Sequence, residues 1–504
     1  MSFILTRYDD KDALTEARDR QGWEQPLVQF GRCCLAVANK ATCVSVAEFG
    51  RKSYALLGSI SNHAELRRML AVFNSGALTA SHAELAALLV EHLGFPSLSF
   101  IDGAFVLFCD NSATRSLTAV TDVLGQYSLY ATAGAGSWIS PSPRLAALKP
   151  GFRPDFFDIE DVVRDEPRPD DYVPIKNVIR AKPGAALEIT IDGQDHACVS
   201  SVPFHILRCR GDQNVNLEDG VRALEATLVA AIQSAFSWDG RAFVPLSGGI
   251  DSSIVAAYGA RFTKLNTVAF GTERSNEYEP SKQVAVHIGS SHSEIKIDTN
   301  EILSGFFDSI YYNSIFDGSA AEVQAGLFAL MARLRGKADL IVTGYGADLL
   351  LGGIMVPGKR PQIGVNREMW AQVYRTRWSS EFSPVGANMM GMQIRHPYWT
   401  PRFLGYCLEL AEELKVSNSE VKILLRTFAE RQSILPRQTV WRKKLALHHG
   451  SSIENILSDT LDIKCTPHAK SMFAYSLYRE SVTGKITPET FNPEHALARF
   501  KSTV

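Results

Sequence analysis

The 504-residue sequence contains no CxxC pair, no internal repeat and no low-complexity tract. It also has no run of about 18 apolar residues, so no membrane span is expected. The opening MSFILTRYDDKD lacks a basic segment followed by a long apolar one, so no signal peptide is expected and the reading is cytoplasmic. Neither sign of charge dominates: 52 Lys and Arg stand against 54 Asp and Glu, a net −2. That balance argues against nucleic acid or an anionic membrane as a partner. The eight cysteines, at 33, 34, 43, 109, 198, 209, 407 and 465, are scattered. Adjacent Cys33 and Cys34 are poorly placed to pair or to chelate one metal, and reduced thiols are expected.

What is present is a change of texture along the chain. Up to about residue 200 the sequence reads as short strands with turns, at 54–60, 105–110, 117–122 and 186–192, rich in β-branched or aromatic residues and ended by Gly, Asp or Asn. A helix at 82–94 interrupts them. Beyond about 210 the reading is a helix at 217–236, then strand 242–246, helix 252–262, strand 266–271, helices 279–288 and 319–335, and strand 339–343. Such alternation predicts a parallel sheet with helices on both faces. From 370 onward the chain reads as mostly helical, and the boundary between two domains falls near 205–215.

The stretch VPLSGGIDSS (244–253) runs from an apolar strand into a glycine turn and then a helix. Glycines there turn backbone N–H groups inward, and the helix N-terminus adds positive potential, so the turn is an anion cradle. No GK[ST] follows the glycines, which excludes a Walker A loop. The shorter turn suits pyrophosphate, with Asp251 placed to hold Mg²⁺. The alternative for Asp251 is an ordinary first-turn acid.

The turn resembles the pyrophosphate loop of the N-type ATP pyrophosphatases. TVAFGTERSNEYEPSKQVAVHIGSSH (267–292), IVTGYGADLLLGGI (341–354), EVKILLRTFAE (420–430) and LPRQTVWRKKLALHHGSS (435–452) are similar, in order, to segments of the asparagine synthetases. HAELAALLVEHLG, IDGAFVLFCDN and TDVLGQYSLYA resemble the glutaminase domain of those enzymes. Two departures narrow the likeness. Ser2 stands where the glutaminase has its nucleophilic Cys, and no Arg-Gly-Pro glutamine loop is found. Tyr345 in TGYGAD stands where the synthetases carry Glu. Both departures resemble the β-lactam synthetases, and the strings SIYYNSIFDG, TGYGAD, VYRTRWSSEF and VWRKK resemble the carbapenam synthetases in particular.

The resemblance implies an inactive N-terminal Ntn-hydrolase-like αββα domain over 1–208 and an ATP-pyrophosphatase domain over 209–504. It implies ATP and Mg²⁺ as cofactors and a small amino-acid substrate of the carboxymethylproline kind, activated as an acyl-adenylate and closed to an amide. By the same resemblance, ATP is bound by Leu246, Ser247, Gly248, Gly249, Asp251, Ser252, Ser253, Val268, Phe270, Gly271, Gly344 and Tyr345, and the metal by Asp251 and Asp348. Tyr345 is the base, held by Glu381, and Lys444 meets the oxyanion, with Lys443 as the fallback. Ala446 and His449 depart from the family's late-loop pattern, and His448 and His449 are expected in packing or lid roles. The same chemistry with an external amine, an asparagine synthetase using free ammonia, and a catalytically dead binding protein on this fold stay open. So does the oligomeric state, a homo-oligomer included.

Overall fold

The computed structural model describes residues 3–503 except 8–9, 40–42, 133–137, 165–167, 170, 192–196, 210–214, 443–451 and 462–465. Residues 3–203 build two six-stranded antiparallel sheets. The first contains Phe3–Arg7 and Cys33–Val37 near one edge, and the second contains Lys52–Gly58 and Phe105–Asn111. Their facing sides share one core, in which Phe3, Leu5, Leu35 and Val37 pack with Leu57, Val106, Phe108 and Leu187.

Alternate residues serve the outer faces, as the two-residue strand period requires. Ile4, Cys34 and Ala36 meet Leu14 and Ala17 of the helix Lys11–Arg20. Leu56, Leu107 and Val120 meet Leu85, Leu88 and Leu89 of the helix His82–Leu93. The result is a helix–sheet–sheet–helix stack. The helix His82–Leu93 starts on a capping box, with Ser81 and Glu84 each satisfying the other's backbone N–H.

The third sheet is fully parallel, in the order Ser291–Lys296, Asn266–Gly271, Ala242–Pro245, Leu340–Val342, Gln393–Arg395. Val268, Phe270 and Ile341 pack under Gly318–Leu334 on one face. Val244, Leu340 and Val342 pack under Leu217–Ala235 and Ile250–Phe262 on the other. Successive strands of a parallel sheet start at the same end, so the loops after Pro245 and Val342 emerge side by side. Two strands of this sheet, Ser291–Lys296 and Gln393–Arg395, and the helix Thr299–Asn313 have no counterpart in the sequence reading.

Cys33, Cys34, Cys43, Cys109, Cys209 and Cys407 carry free thiols. The side chains of Cys198 and Cys465 lie outside the described residues. Among the described residues, no helix is long and apolar enough to cross a membrane.

Two buried arginines join the sheet stack to the parallel-sheet half. Arg180 donates from Nη1 to Trp378 O at 2.7 Å and from Nη2 to Ser128 Oγ at 2.9 Å. Arg377 answers from the other side, donating from Nη2 to Val123 O at 3.1 Å and Pro183 O at 3.3 Å. Each guanidinium satisfies carbonyls that burial would otherwise strand, at about 1–3 kcal/mol apiece. Arg180→Met is therefore expected to cost about 2–4 kcal/mol, seen as a lowered midpoint of thermal unfolding. An unchanged midpoint would show that the halves are held by other contacts.

Candidate active site

The turn after Ala242–Pro245 is shaped before any ligand arrives. Gly248 has φ +68°, and a Cβ there would lie 2.6 Å from the backbone carbon of Pro280, so only glycine fits. Gly249 starts the helix Ile250–Phe262 in an extended conformation. The serines brace the loop. Ser247 Oγ lies 3.2 Å from Ser252 Oγ and accepts from Gly249 N at 3.3 Å. Ser253 Oγ is buried with no hydrogen-bond partner among the described residues. A buried hydroxyl without a partner is costly unless something arrives to satisfy it, and a phosphate oxygen fits that need. Leu246 is pinned to the neighbouring strand by its N–H to Val268 O at 2.8 Å. Val268 and Phe270 have buried side chains in the core, and Gly271, which ends their strand, lies against Asn276.

The loop after Leu340–Val342 crosses this turn in backbone contact. A Cβ on Gly344 would sit 2.6 Å from Ser252 N and 2.8 Å from the carbonyl carbon of Asp251. That approach brings Asp348, in the first turn of Ala347–Leu350, to Asp251, in the first turn of Ile250–Phe262. Between them stands Lys422, whose side chain is 1% exposed, with Nζ 2.5 Å from Asp251 Oδ2 and 2.6 Å from Asp348 Oδ1. Lys422 has φ +59°, a strained conformation for a residue with a side chain, and caps the helix Ile423–Arg431. Gly353 makes room for it, since a Cβ there would lie 2.0 Å from Asp348 Oδ1 and 2.4 Å from Lys422 Cε. Burial works to lower the Lys422 ammonium, but the two carboxylates more than offset it and hold it above its ordinary value.

Lys422 was not among the residues singled out from the sequence. Its signal was a cation flanked by Val421, Ile423, Leu424 and Leu425, where burial without a partner would be prohibitive.

The pair also answers whether Mg²⁺ fits. Two carboxylates within reach of one cation suit an ion that keeps waters and leans on substrate phosphates.

Tyr345 lies three residues before Asp348. Its hydroxyl donates to Glu381 Oε2, and Ser379 Oγ donates to Glu381 Oε1 at 2.7 Å. The ring stacks on Phe382 at 4.6 Å, and Phe382 stacks on Trp399 at 4.0 Å. Thr343 Oγ1 caps the turn by accepting Tyr345 N–H at 3.2 Å, and contacts His396 Nδ1 at 2.7 Å. Gln324 lies near enough to Tyr345 to favour its anionic form. Burial first, then the Glu381 charge, pushes the Tyr345 phenol well above its usual value. Burial also raises Glu381, against the pull of the hydrogen bonds from Tyr345 and Ser379. The Tyr345 phenol is therefore held protonated, with its hydroxyl donating to Glu381.

Lys443, Lys444, Ala446, His448 and His449 lie outside the described residues, as does Ser2. Just before the lysines, Arg442 donates from Nη1 to Ser247 O at 3.1 Å and from Nη2 to Glu277 Oε1 at 2.9 Å. Arg442 thus reaches the glycine turn. The sequence reading did not single out Arg442 or Gln324 either.

Lys422→Met removes the cation between the two carboxylates. Asp251 and Asp348 are partly exposed, so the expected loss is about 2–4 kcal/mol, at the low side of breaking a fully buried pair. Millimolar Mg²⁺ should raise the thermal midpoint of this variant more than that of the parent. An equal response of the two proteins would mean that the carboxylates do not share a cation position.

The site can be compared with known proteins. The family model described as asparagine synthase matches residues 223–389 and 385–487. The model described as carbapenam-3-carboxylate synthase, N-terminal, matches residues 29–201. The chain is 30% identical over 409 residues to carboxyethyl-arginine beta-lactam-synthase of Streptomyces clavuligerus, covering 81% of this chain and 75% of that protein. It is 25% identical over 418 residues to the glutamine-hydrolyzing asparagine synthetase of Homo sapiens, covering 79% of this chain and 72% of that one. The glycine turn, the paired acids and these matches, which together span both halves, lead to one conclusion: the chain belongs to the asparagine synthase family and is, by that membership, an ATP-dependent amide-forming ligase.

Proposed function

We propose that the enzyme adenylates a carboxylate of a small amino acid and then closes that substrate's own amine onto it, forming a β-lactam, as part of secondary-metabolite biosynthesis. The observation that carries the reading is the Tyr345–Glu381 hydrogen bond, which sets a proton acceptor next to the paired acids. Residues 1–208 serve as an inactive, structural relative of a glutaminase, and residues 209–504 perform the chemistry. An amine carried by the substrate itself makes a supply of ammonia unnecessary, in keeping with Ser2 in place of the nucleophilic Cys.

In the first step a substrate carboxylate oxygen attacks the α-phosphorus of ATP, and the bond to pyrophosphate breaks. Ser247, Gly248, Gly249, Ser252 and Ser253 receive the pyrophosphate with hydroxyl and backbone donors. Leu246, Val268, Phe270, Gly271 and Gly344 border the adenosine. Asp251 and Asp348 would hold Mg²⁺, which when bound would neutralise charge on the phosphoryl oxygens. Lys422 keeps the two acids from repelling each other.

In the second step the amine nitrogen attacks the acyl carbon, and the bond to AMP breaks. The amine proton passes to Tyr345 Oη as the phenol proton passes to Glu381, so no free phenolate has to exist beforehand. The raised Tyr345 fits such a relay better than a standing anion. Lys444, with Lys443 as the fallback, meets the oxyanion that develops on the acyl oxygen.

Tyr345→Phe and Glu381→Gln should each slow ring closure by about 10²–10⁴-fold. Both should leave ATP–pyrophosphate exchange within a few-fold of the parent. Ring closure at the parent rate in both variants would remove the dyad from the mechanism. Loss of exchange as well would make the pair an adenylation element instead.

A further inference from the structure

A cavity of about 450 Å³ lies between the two halves of the chain. Asp102 and Gln126 line it from the sheet stack, and Ser234, Arg395, His396 and Trp399 from the parallel-sheet half. Tyr345, Glu381, Asp251 and Asp348 do not line it, so it is a separate site of ligand-binding size. It nevertheless touches two supports of the dyad. Trp399 is the base of the ring stack that runs through Phe382 to Tyr345. His396 meets the Thr343 hydroxyl that accepts Tyr345 N–H.

The wall carries buried polar groups that the fold does not use. Gln126 is 8% exposed, and its side-chain amide makes no hydrogen bond among the described residues. His396 is 6% exposed and spends only Nδ1, on Thr343. Ser234 Oγ is buried with no partner among the described residues. Arg395 gives Nη1 to Ser234 O at 2.9 Å and to Ala235 O at 3.0 Å. Its Nε and Nη2 have no partner among the described residues. That pair is the side-on edge of a guanidinium, which grips a carboxylate through two parallel N–H bonds. Buried polar groups are costly to leave unmet, and here several of them border one cavity.

The charges narrow what fits. Burial lowers the Arg395 guanidinium to about 10 and raises the Asp102 carboxyl to about 6. Each is a charge that its surroundings do not fully compensate. Asn62 Oδ1 holds the turn that carries the acid by accepting Asp102 N–H at 2.9 Å. At the rim Arg402 and Glu65 offset each other at 3.4 Å, and Arg68 is exposed. Burial lowers His396 to about 3, so it is a neutral hydrogen-bonding group. The interior therefore offers one guanidinium and one carboxylate, the complement of a molecule with one charge of each sign. A dicarboxylate would bring a second negative charge to Asp102, and a simple amine would leave Arg395 unmet.

We propose that this cavity binds a free α-amino acid with a polar side chain, as an effector of ring closure. Its carboxylate meets Arg395, its ammonium meets Asp102, and its side chain lies among Gln126, Ser234 and His396. The bound molecule acts on the dyad through the Trp399–Phe382 stack and through the His396–Thr343 contact. It changes the rate to the extent that it favours one arrangement of those supports over another.

The test titrates each of the twenty common L-amino acids into the full-length protein by calorimetry. It is repeated with Gln126→Leu, Asp102→Asn and Ala231→Phe, the last filling the cavity from the helix Leu217–Ala235. At least one polar amino acid is expected to bind the parent. Gln126→Leu and Asp102→Asn should weaken it about tenfold or more, and Ala231→Phe should abolish it. The three changes lie on three different elements, so a variant that fails to fold leaves the other two to decide. No binding by any of the twenty would overturn the assignment. Equal affinity in the parent and the folded variants would overturn it too, by placing the amino acid elsewhere. In the parent, the bound amino acid should change the rate of product formation from ATP and (2S,5S)-carboxymethylproline about fivefold or more. An unchanged rate would overturn the effector role. The calorimetric arm needs no turnover, so a parent that releases no AMP would count against the ligase reading and not against the cavity as a binding site.

Discussion

The Lys422 ammonium between Asp251 and Asp348 is the contact on which the geometry of the site depends. Two carboxylates that each hydrogen-bond one ammonium lie no more than about 5 Å apart. Uncompensated, their repulsion would be about 3 kcal/mol at the effective dielectric of a protein site. The fold holds them there because the two strand ends are neighbours in a parallel sheet and Gly344 lets their loops touch. Lys422 makes the arrangement tolerable, and the left-handed backbone at Lys422 and the missing side chain at Gly353 make Lys422 possible. A centre built this way already holds a positive charge where a metal-bound nucleotide would bring one.

The dyad hangs from the same loop. Tyr345 lies between Gly344, which touches the glycine turn, and Asp348, which meets Lys422, so the dyad and the paired acids share one short segment. Its partner Glu381 comes from the end of Val365–Ser379, where Arg377 and the Trp378 carbonyl are bound to the sheet stack. The sheet stack thus bears on Glu381 through packing. It fixes the end of the helix that leads to Glu381.

Much of this was legible in the sequence because local signals agreed with the fold. The strand–glycine–helix turn, the alternating elements after residue 210 and the capping-box helix at His82–Leu93 each follow from periodicity and punctuation. What was missed lies where those signals fail. Ser291–Lys296 is an edge strand with a largely exposed, polar sequence, so it shows no apolar alternation. Phe3–Arg7 is buried on both faces, which also erases alternation. The helix Thr299–Asn313 did announce itself, through the Asp298–Glu301 capping box. In the site, Tyr345, Glu381, Asp251 and Asp348 were named from motifs and are brought together. Lys422 joins them from 74 residues beyond Asp348, a pairing no local pattern encodes.

The central claim is that the amine and the activated carboxylate belong to one substrate molecule. Mass spectrometry of the protein with ATP, Mg²⁺ and (2S,5S)-carboxymethylproline, with no other amine present, tests it most directly. The account predicts a product lighter than the substrate by one water, released with equal AMP and pyrophosphate. AMP and pyrophosphate without that product would contradict it and point to an external amine.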